Sequence, residues 1–296
     1  MTIIYLLLLS LIPQALPKEV ILSSGIMAWN QPQLHSQYTA FKTYADIGII
    51  NTSSILTYLI NPNGSLGVYQ TNVSGISGED YQHYIKTTLK LRATPCIFCD
   101  ATIGMCSDLG ARLRQLFAKE TEFIEDSVQR AKKYGWDGYM VDFEPDTPVD
   151  ADRLTNFLVK WGSVLHAHGM DLSVWIGGPT QYNLEILYNT SSVNLITMST
   201  YWSTYPGFVA IAGQLQTQVV DISKLGFGLI TYDNVPGYDP HALIKYPLPA
   251  QTSVIDSGNV TQIAKWLVMA KAQILSLWVS LIPPDWYEGL LWYMQH

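Results

Sequence analysis

Two carboxylates stand two positions apart in the stretch "GWDGYMVDFEP", residues 135–145. Residues 138–144 otherwise have the apolar character of a buried strand, in which alternate side chains share one face. Asp142 and Glu144 therefore share a face, and burying an unpartnered carboxylate is costly. Two such neighbours raise the pKa of one of them, which is the property of a general acid. The alternative is a structural pair held by backbone amides or by a buried arginine.

The elements that must position this pair follow from eight apolar runs, each of which predicts a strand, with helical stretches between several of them. Continuously apolar strands that alternate with helices are typical of a parallel sheet covered by helices. Eight units in about 270 residues favour an α/β fold of the closed (β/α)8 TIM-barrel type over an open doubly wound sheet. No glycine-rich nucleotide-binding loop follows any run. The runs lie at 19–29, 53–60, 93–100, 138–144, 172–177, 193–202, 226–233 and 274–282.

A barrel also predicts where each side chain of the fourth strand points. Sites in this fold lie at the carboxyl ends of the strands, so Glu144 is expected at the rim and Asp142 one layer below it. Met140 then faces the interior beneath them, and the three intervening side chains face the helices. A single helical stretch is predicted from 109 to 134, because its apolar residues recur at helical spacing and Gly135 can end it.

At this strand the sequence resembles the chitinase-type family 18 glycoside hydrolases, whose strand-four signature is D-G-x-D-x-D-x-E. Asp137, Gly138, Asp142 and Glu144 match it, whereas Met140 stands where the family has its middle aspartate. The resemblance extends loosely through the order of the strands. It implies that Glu144 protonates the glycosidic oxygen and that Asp142 orients the 2-acetamido group of the substrate, whose own oxygen is the nucleophile.

Two further segments are similar to this family, more weakly. "MSTYW" (198–202) is similar to its Met-x-Tyr-Asp region, which implies that Tyr201 hydrogen-bonds the acetamido oxygen; the family's aspartate becomes Trp202. Trp278 is similar to the tryptophan that forms the floor of the sugar subsite in this family.

Methionine can neither share charge nor accept a strong hydrogen bond, so Asp142 needs another partner. Asp100, at the end of the third strand, is the nearest candidate by position. Trp29 and Tyr232 also follow strand ends and are predicted to contact a sugar, with packing as the alternative for these aromatic residues.

The charge and composition of the chain limit the classes of molecule that it is expected to bind. The net charge is −7 and no Lys/Arg cluster stands out, which argues against nucleic acid or an anionic membrane. None of the six histidines is placed at a strand end to join the carboxylates, and no cofactor or metal is predicted. A magnesium or calcium site made of Asp100, Asp142 and Glu144 is the alternative.

The N-terminus predicts a secretory route. Residues 1–17 contain an apolar run too short to span a bilayer in the ordinary way, which indicates a signal peptide ahead of a single barrel domain at 18–296; a retained anchor is the alternative. Cys96, Cys99 and Cys106 predict one local disulfide, without fixing the pair. The expected location is secreted or lysosomal. Five N-glycosylation sequons support it, at Asn51, Asn63, Asn72, Asn189 and Asn259.

Together these features predict a glycoside hydrolase acting on glycans that contain N-acetylglucosamine, with an oligosaccharide as the partner. A non-catalytic sugar-binding barrel is the second hypothesis, which the retained Glu144 disfavours and Met140 favours. A metal-dependent phosphodiesterase barrel using the three carboxylates is the third.

Overall fold

The computed structural model of the chain describes residues 18–24, 31–70, 75–100, 106–145, 149–177, 181–198, 200, 205–231, 257–279, 282 and 284–296. Four residues named above as sugar-binding candidates lie outside the described residues, as does the predicted signal peptide 1–17. These candidates are Trp29, Tyr201, Trp202 and Tyr232.

Eight parallel strands form a closed barrel, which confirms the predicted fold class. Two short strands are added to it: β3 pairs antiparallel with β2, and β4 pairs parallel with β2. In chain order the strands are β1 (Glu19–Ser24), β2 (Thr52–Ile60), β3 (Leu66–Val68), β4 (Arg92–Ala93), β5 (Cys96–Asp100), β6 (Gly138–Glu144), β7 (Asp171–Ile176), β8 (Asn194–Thr197), β9 (Leu225–Thr231) and β10 (Ile274–Val279).

Closure of the barrel depends on β1, which pairs with the strands on both sides of it. Glu19 to Ser23 pair with Ile274 to Trp278 of β10, and Ile21 to Ser24 pair with β2. The backbone N–H and C=O groups of the first and last strands are thereby used inside the sheet, so the barrel has no open edge.

Helices follow the strands and cover the barrel. None of them, in the described part of the chain, is long and apolar enough to cross a bilayer. They are α1 (Gln31–Asp46), α2 (Gly78–Leu89), α3 (Leu109–Ala118), α4 (Glu120–Tyr134), α5 (Ala151–Ala167), α6 (Leu184–Tyr188), α7 (Tyr205–Gln218), α8 (Ser257–Ala270) and α9 (Tyr287–Gln295).

The single helix predicted from 109 to 134 is wrong in one respect, because the structure divides it at Lys119. This residue has φ −131° and ψ 29°, outside the helical region, and its N–H bonds to the carbonyl of Leu116 three residues back. The predicted end at Gly135 is confirmed, with φ 71°, a left-handed conformation that glycine adopts without strain. Apolar spacing identifies the buried face of a helix but not the point where its axis changes direction.

Two separate apolar clusters lie on the two sides of the sheet. The outer cluster joins the helices to the barrel and contains Tyr139, Val141 and Phe143. The inner cluster fills the barrel and contains Met140 with Trp175. The alternation predicted for β6 is therefore confirmed.

The amino-terminal end of the barrel is held by a group of ion pairs. Arg92 donates to Glu19 at 2.9 Å and to Asp171 at 2.8 Å, so it joins strands from distant parts of the chain. Glu19 is buried and also accepts a hydrogen bond from Thr52 at 2.7 Å. These ion pairs connect β1, β4 and β7 at the end of the barrel opposite the one where sites are built.

Candidate active site

The first two residues of the strand-four motif have structural roles. The Oδ2 atom of Asp137 accepts the backbone N–H of Ala93 at 2.8 Å and pairs with Lys86. At Gly138 the strand passes so near β7 that a Cβ atom would lie 2.2 Å from the carbonyl oxygen of Asp171, so only glycine fits there. These two positions fix the start of β6 and do not contribute to its chemistry.

The carboxyl end of β6 carries the predicted acid pair. Asp142 is buried, with 2% of its surface exposed, whereas Glu144 is half-buried at the rim. In the register of the sheet, Glu144 stands opposite Asp100 and Asp142 stands opposite Phe98 on β5. Neighbouring strands lie about 4.8 Å apart, so three carboxylates share a small region at the barrel mouth.

This crowding changes the protonation of the pair. Burial, with the negative charge of Asp100 as a smaller cause, raises the pKa of Glu144 to about 7. Burial also raises the pKa of Asp142 well above its usual range, and the charges of Glu144 and Asp100 add to the effect. Burial therefore favours the protonated form of Asp142, and Glu144, with a pKa near neutrality, can both give and take a proton.

Met140 lies beneath the pair, and its hydrogen-bonding neighbours are not carboxylates. The indole N–H of Trp175 and the hydroxyl of Ser23, the latter at 3.7 Å, are directed at the Met140 sulfur. Ser23 also lies 3.3 Å from the hydroxyl of Ser276. Among the described residues, the Oδ2 atom of Asp142 has no hydrogen-bond partner. Asp100 acts on Asp142 as a like charge that raises its pKa.

Sequence reasoning missed Tyr182, which follows β7. Its side chain is 3% exposed, and its hydroxyl has no hydrogen-bond partner within the described part of the chain. Burial and the charges of Asp142 and Glu144 raise the pKa of this phenol, so it stays a neutral donor. Tyr182 lies beyond the end of β7, whereas the sequence identifies candidate site residues only at the ends of predicted strands. An amphipathic tyrosine in the loop after a barrel strand is the signal that could have found it.

Aromatic side chains line the mouth next to the acids. The Trp278 ring lies 5.5 Å from that of Trp175 and 6.3 Å from that of Phe98, measured between centroids, and it is partly exposed. Below these rings a cavity of ≈ 20 Å³ is also lined by Ser23 and Cys96. This is room for about one water molecule. The cavity is therefore too small for a ring-sized ligand.

The structure thus brings together four of the predicted site residues: Asp100, Asp142, Glu144 and Trp278. Within the described ranges, no group of three or more His, Cys, Asp or Glu side chains has an arrangement that could hold a metal ion. Those ranges include the three carboxylates Asp100, Asp142 and Glu144.

The cysteine prediction is confirmed, and the pair is now known. Cys99 and Cys106 form the disulfide, which ties the end of β5 to the residues before α3. Cys96 is a buried free thiol, whose pKa is raised by burial and by the charge of Asp142.

Solved structures of other proteins show the same architecture. A chitinase from Chromobacterium violaceum ATCC 12472 is 16% identical, with a TM-score of 0.69, and the match covers 94% of this chain and 99% of that one. The spore cortex-lytic enzyme SleL of Bacillus megaterium QM B1551 is 12% identical, with a TM-score of 0.66, over 95% of this chain and 75% of its own.

A third similar structure contains a sugar. It is catalytic domain 2 of the Group II chitinase of Ostrinia furnacalis, a mutant in complex with penta-N-acetylchitooctaose; it is 12% identical, with 89% of each chain covered and a TM-score of 0.62. No protein-family model and no curated protein matches the sequence. At these identities the similarity shows the fold: the chain is a chitinase-like (β/α)8 barrel.

Proposed function

We propose that this protein is a glycoside hydrolase that acts on glycans containing N-acetylglucosamine, with Glu144 as its proton donor. The observation that supports this most strongly is the position and protonation of Glu144. It is half-buried at the carboxyl rim of the barrel, with a pKa raised to about 7. A carboxylic acid in this state at this end of a barrel is suited to general acid catalysis.

The proposed reaction uses the two carboxylates in different roles. The Glu144 carboxyl proton moves to the glycosidic oxygen as the bond from that oxygen to the anomeric carbon breaks. The carbonyl oxygen of the substrate's 2-acetamido group forms a new bond to the anomeric carbon on the opposite face. Water, deprotonated by the Glu144 carboxylate, then displaces that oxygen, so the configuration is retained.

Asp142 is suited to orienting the acetamido group. Its buried Oδ2 atom has no partner among the described residues and can accept the acetamido N–H, which would relieve the cost of leaving it unpaired. Trp278 offers a partly exposed ring on which the sugar can stack. Tyr201, Trp202, Trp29 and Tyr232 remain predicted contacts to the rest of the substrate.

The non-catalytic sugar-binding barrel remains the second candidate, and Met140 is the observation that favours it. In the resembling family the middle aspartate shares a hydrogen bond with the next carboxylate, and the sulfur of Met140 is instead approached by Trp175. The two candidates differ in one measurable respect, which is turnover that depends on Glu144.

The test is hydrolysis of chromogenic N-acetylglucosamine oligomers by the parent and by Glu144→Gln. We expect the substitution to lower kcat by at least about 10³-fold, because it removes the only proposed acid, while oligomer binding persists. Glu125→Gln, at an exposed position of α4, is the matched control and should retain full activity. A parent that binds the oligomers without any Glu144-dependent hydrolysis would establish the sugar-binding candidate instead.

We also propose a secreted or endomembrane location. The leader-like residues 1–17 and the sequons at Asn63, Asn72, Asn189 and Asn259 support it, and so does the disulfide, since disulfides persist mainly in oxidising compartments. An acidic lumen would also keep Glu144 protonated.

A further inference from the structure

A groove lies between α6 and α7 on the outer, helical layer of the barrel. Its volume of ≈ 830 Å³ falls within the range of small-ligand sites, about 300–1,000 Å³. The apolar part of its lining consists of Leu184 and Tyr188 from α6 and Ile211 and Leu215 from α7. Gln214 and Gln218 supply amide groups from α7.

The apolar side chains of this groove pack on the barrel, and an exposed valine lies near them. Leu184, Tyr188 and Leu215 are partly buried and pack against the outer core from the groove side. Val220 follows α7, donates its N–H to the carbonyl of Tyr188 at 3.0 Å, and is 74% exposed. Apolar side chains that remain exposed beside a groove favour the binding of another molecule or group there.

A glycosylation acceptor stands in the wall of the same groove. Asn189 caps the end of α6, is exposed, and begins the sequon Asn189-Thr190-Ser191. Its Nδ2 atom donates to the carbonyl of Glu185 at 2.8 Å. That nitrogen has two hydrogens, so it can carry a sugar in place of one and keep this bond with the other.

Asn51, by contrast, begins a sequon whose side chain is not available for glycosylation in the folded protein. Its Oδ1 atom accepts the N–H of Val20 at 2.9 Å, and its Nδ2 atom donates to the carbonyl of Lys18 at 2.7 Å. The next residue, Thr52, is completely buried. The Asn51 side chain is therefore part of the sheet's own hydrogen bonding, whereas the Asn189 side chain borders open space.

We propose that Asn189 carries an N-linked glycan and that the first sugars of this glycan lie in the groove. The donor is an oligosaccharide linked to a lipid diphosphate. The Nδ2 atom attacks the anomeric carbon of that donor, a nitrogen–carbon bond forms, the carbon–oxygen bond to the diphosphate breaks, and the amide nitrogen loses one proton. The inference depends on the proposed secretory route and is independent of the proposed hydrolase activity.

The groove and an N-acetylglucosamine residue are chemically complementary. The C–H face of a pyranose ring can pack on Tyr188 and Leu215, and tyrosine is suited to such amphipathic contacts. The hydroxyl and acetamido groups can exchange hydrogen bonds with Gln214 and Gln218 at the open side. Because the sugar is covalently tethered at the groove wall, its packing has little further loss of translational freedom to overcome.

The test uses the full chain secreted from a glycosylating eukaryotic host. Ser191→Ala removes the sequon and leaves Asn189 in place, and Ser191→Thr is the matched control that keeps the sequon. Ser191 is exposed. We expect mass spectrometry to find a glycan on the Asn189 peptide of the parent and of Ser191→Thr, and none on that of Ser191→Ala. An unmodified Asn189 in the secreted parent overturns the proposal.

Whether the glycan packs in the groove is tested by thermal stability and by amide hydrogen exchange. Relative to Ser191→Thr, the Ser191→Ala protein should have a Tm lower by about 2–4 °C, which corresponds to about 1 kcal/mol for a chain of this size. Its amides should also exchange faster in 184–189 and 205–218, but not in α4. When the same variants are made in a bacterial host without glycosylation, their Tm values should agree. If Ser191→Thr carries a glycan on Asn189 but has the same Tm and the same exchange rates as Ser191→Ala, the glycan does not pack in the groove.

Discussion

Met140 determines where negative charge lies inside the barrel. Because a thioether stands at this depth, the carboxylates that the structure describes in this part of the barrel, Asp142, Glu144 and Asp100, all lie above Met140. Burial raises the pKa of both β6 carboxyls, and none of the basic side chains described near them is a partner that lowers either value. The pH dependence of activity should therefore report mainly on the carboxylates themselves.

The first prediction at the residue scale concerns pH. Glu144 must be protonated to act as an acid, so kcat should fall as pH rises through its pKa of about 7. Asp100→Asn removes a negative charge that disfavours ionisation of Glu144, so the pKa falls and the alkaline limb moves to lower pH. Profiles of kcat between about pH 4 and 9 measure this.

The control for this profile is Glu122→Gln, which alters an exposed carboxylate on α4. Its alkaline limb should coincide with that of the parent. A limb that stays in place in Asp100→Asn would show that Asp100 does not act on Glu144, and a limb that moves to higher pH would reverse the sign of the interaction.

The second prediction concerns Tyr182, whose hydroxyl is buried and has no partner among the described residues. If this hydroxyl donates to the bound substrate, Tyr182→Phe should lower kcat/KM about tenfold, the effect of one hydrogen bond. The Tm should stay the same or rise slightly, because the substitution removes an unsatisfied buried group.

Tyr293→Phe serves as the contrasting variant. The hydroxyl of Tyr293 donates to the carbonyl of Ala272 at 3.1 Å, so its loss should lower stability by about 1 kcal/mol and leave kcat/KM unchanged. If Tyr182→Phe behaves in the same way, Tyr182 has a packing role only.

At the scale of the elements, close approaches of helix to strand determine which substitutions the barrel accepts. Gly162 of α5 lies where a Cβ atom would be 2.3 Å from the carbonyl oxygen of Ser192, just before β8. Gly213 of α7 has no atom within 4 Å of the place where its Cβ would be. These two helical glycines therefore provide a matched pair.

We predict opposite effects of alanine at these two positions. Gly162→Ala should lower the free energy of unfolding by about 1–3 kcal/mol, because α5 must move away from the sheet. Gly213→Ala should raise it by about 0.5–1 kcal/mol, because alanine loses less backbone entropy in a helix. Urea unfolding measures both, and a destabilised Gly213→Ala would contradict the open space described there.

The features of helices and strands that depend on the periodicity of apolar residues could be predicted from the sequence. The alternation of 138–144 predicted which side chains of β6 enter the barrel, and the eight apolar runs predicted the eight strands of the sheet. The division of the helix at Lys119 and the pairing of Cys99 with Cys106 were not predictable, because apolar spacing does not report backbone dihedral angles and three nearby cysteines allow more than one pairing. Tyr182 was missed because its position near the carboxylates depends on a loop, and a loop has no period that could place it.

At the scale of the whole molecule, the last helix completes the outer core. Leu290 and Tyr293 of α9 are completely buried, and Gly289 lies close against Thr261 of α8. We predict that deleting residues 287–296 abolishes the single cooperative thermal transition, because the lost burial is comparable with the whole stability of a domain, about 5–15 kcal/mol.

The matched control deletes only Gln295 and His296, which are exposed. Near-ultraviolet circular dichroism during heating should show one sharp transition for this control and for the parent. A sharp transition at an unchanged temperature in the longer deletion would show that the barrel is stable without α9.

Pairing of β1 with both β2 and β10 also has a consequence for biosynthesis. The ribosome makes β1 before β10, so until β10 has been made the nascent chain has a strand with one unsatisfied edge. Such edges pair readily with other chains. The barrel can close only after β10 has been made, and until then the growing polypeptide should depend on chaperones to remain soluble.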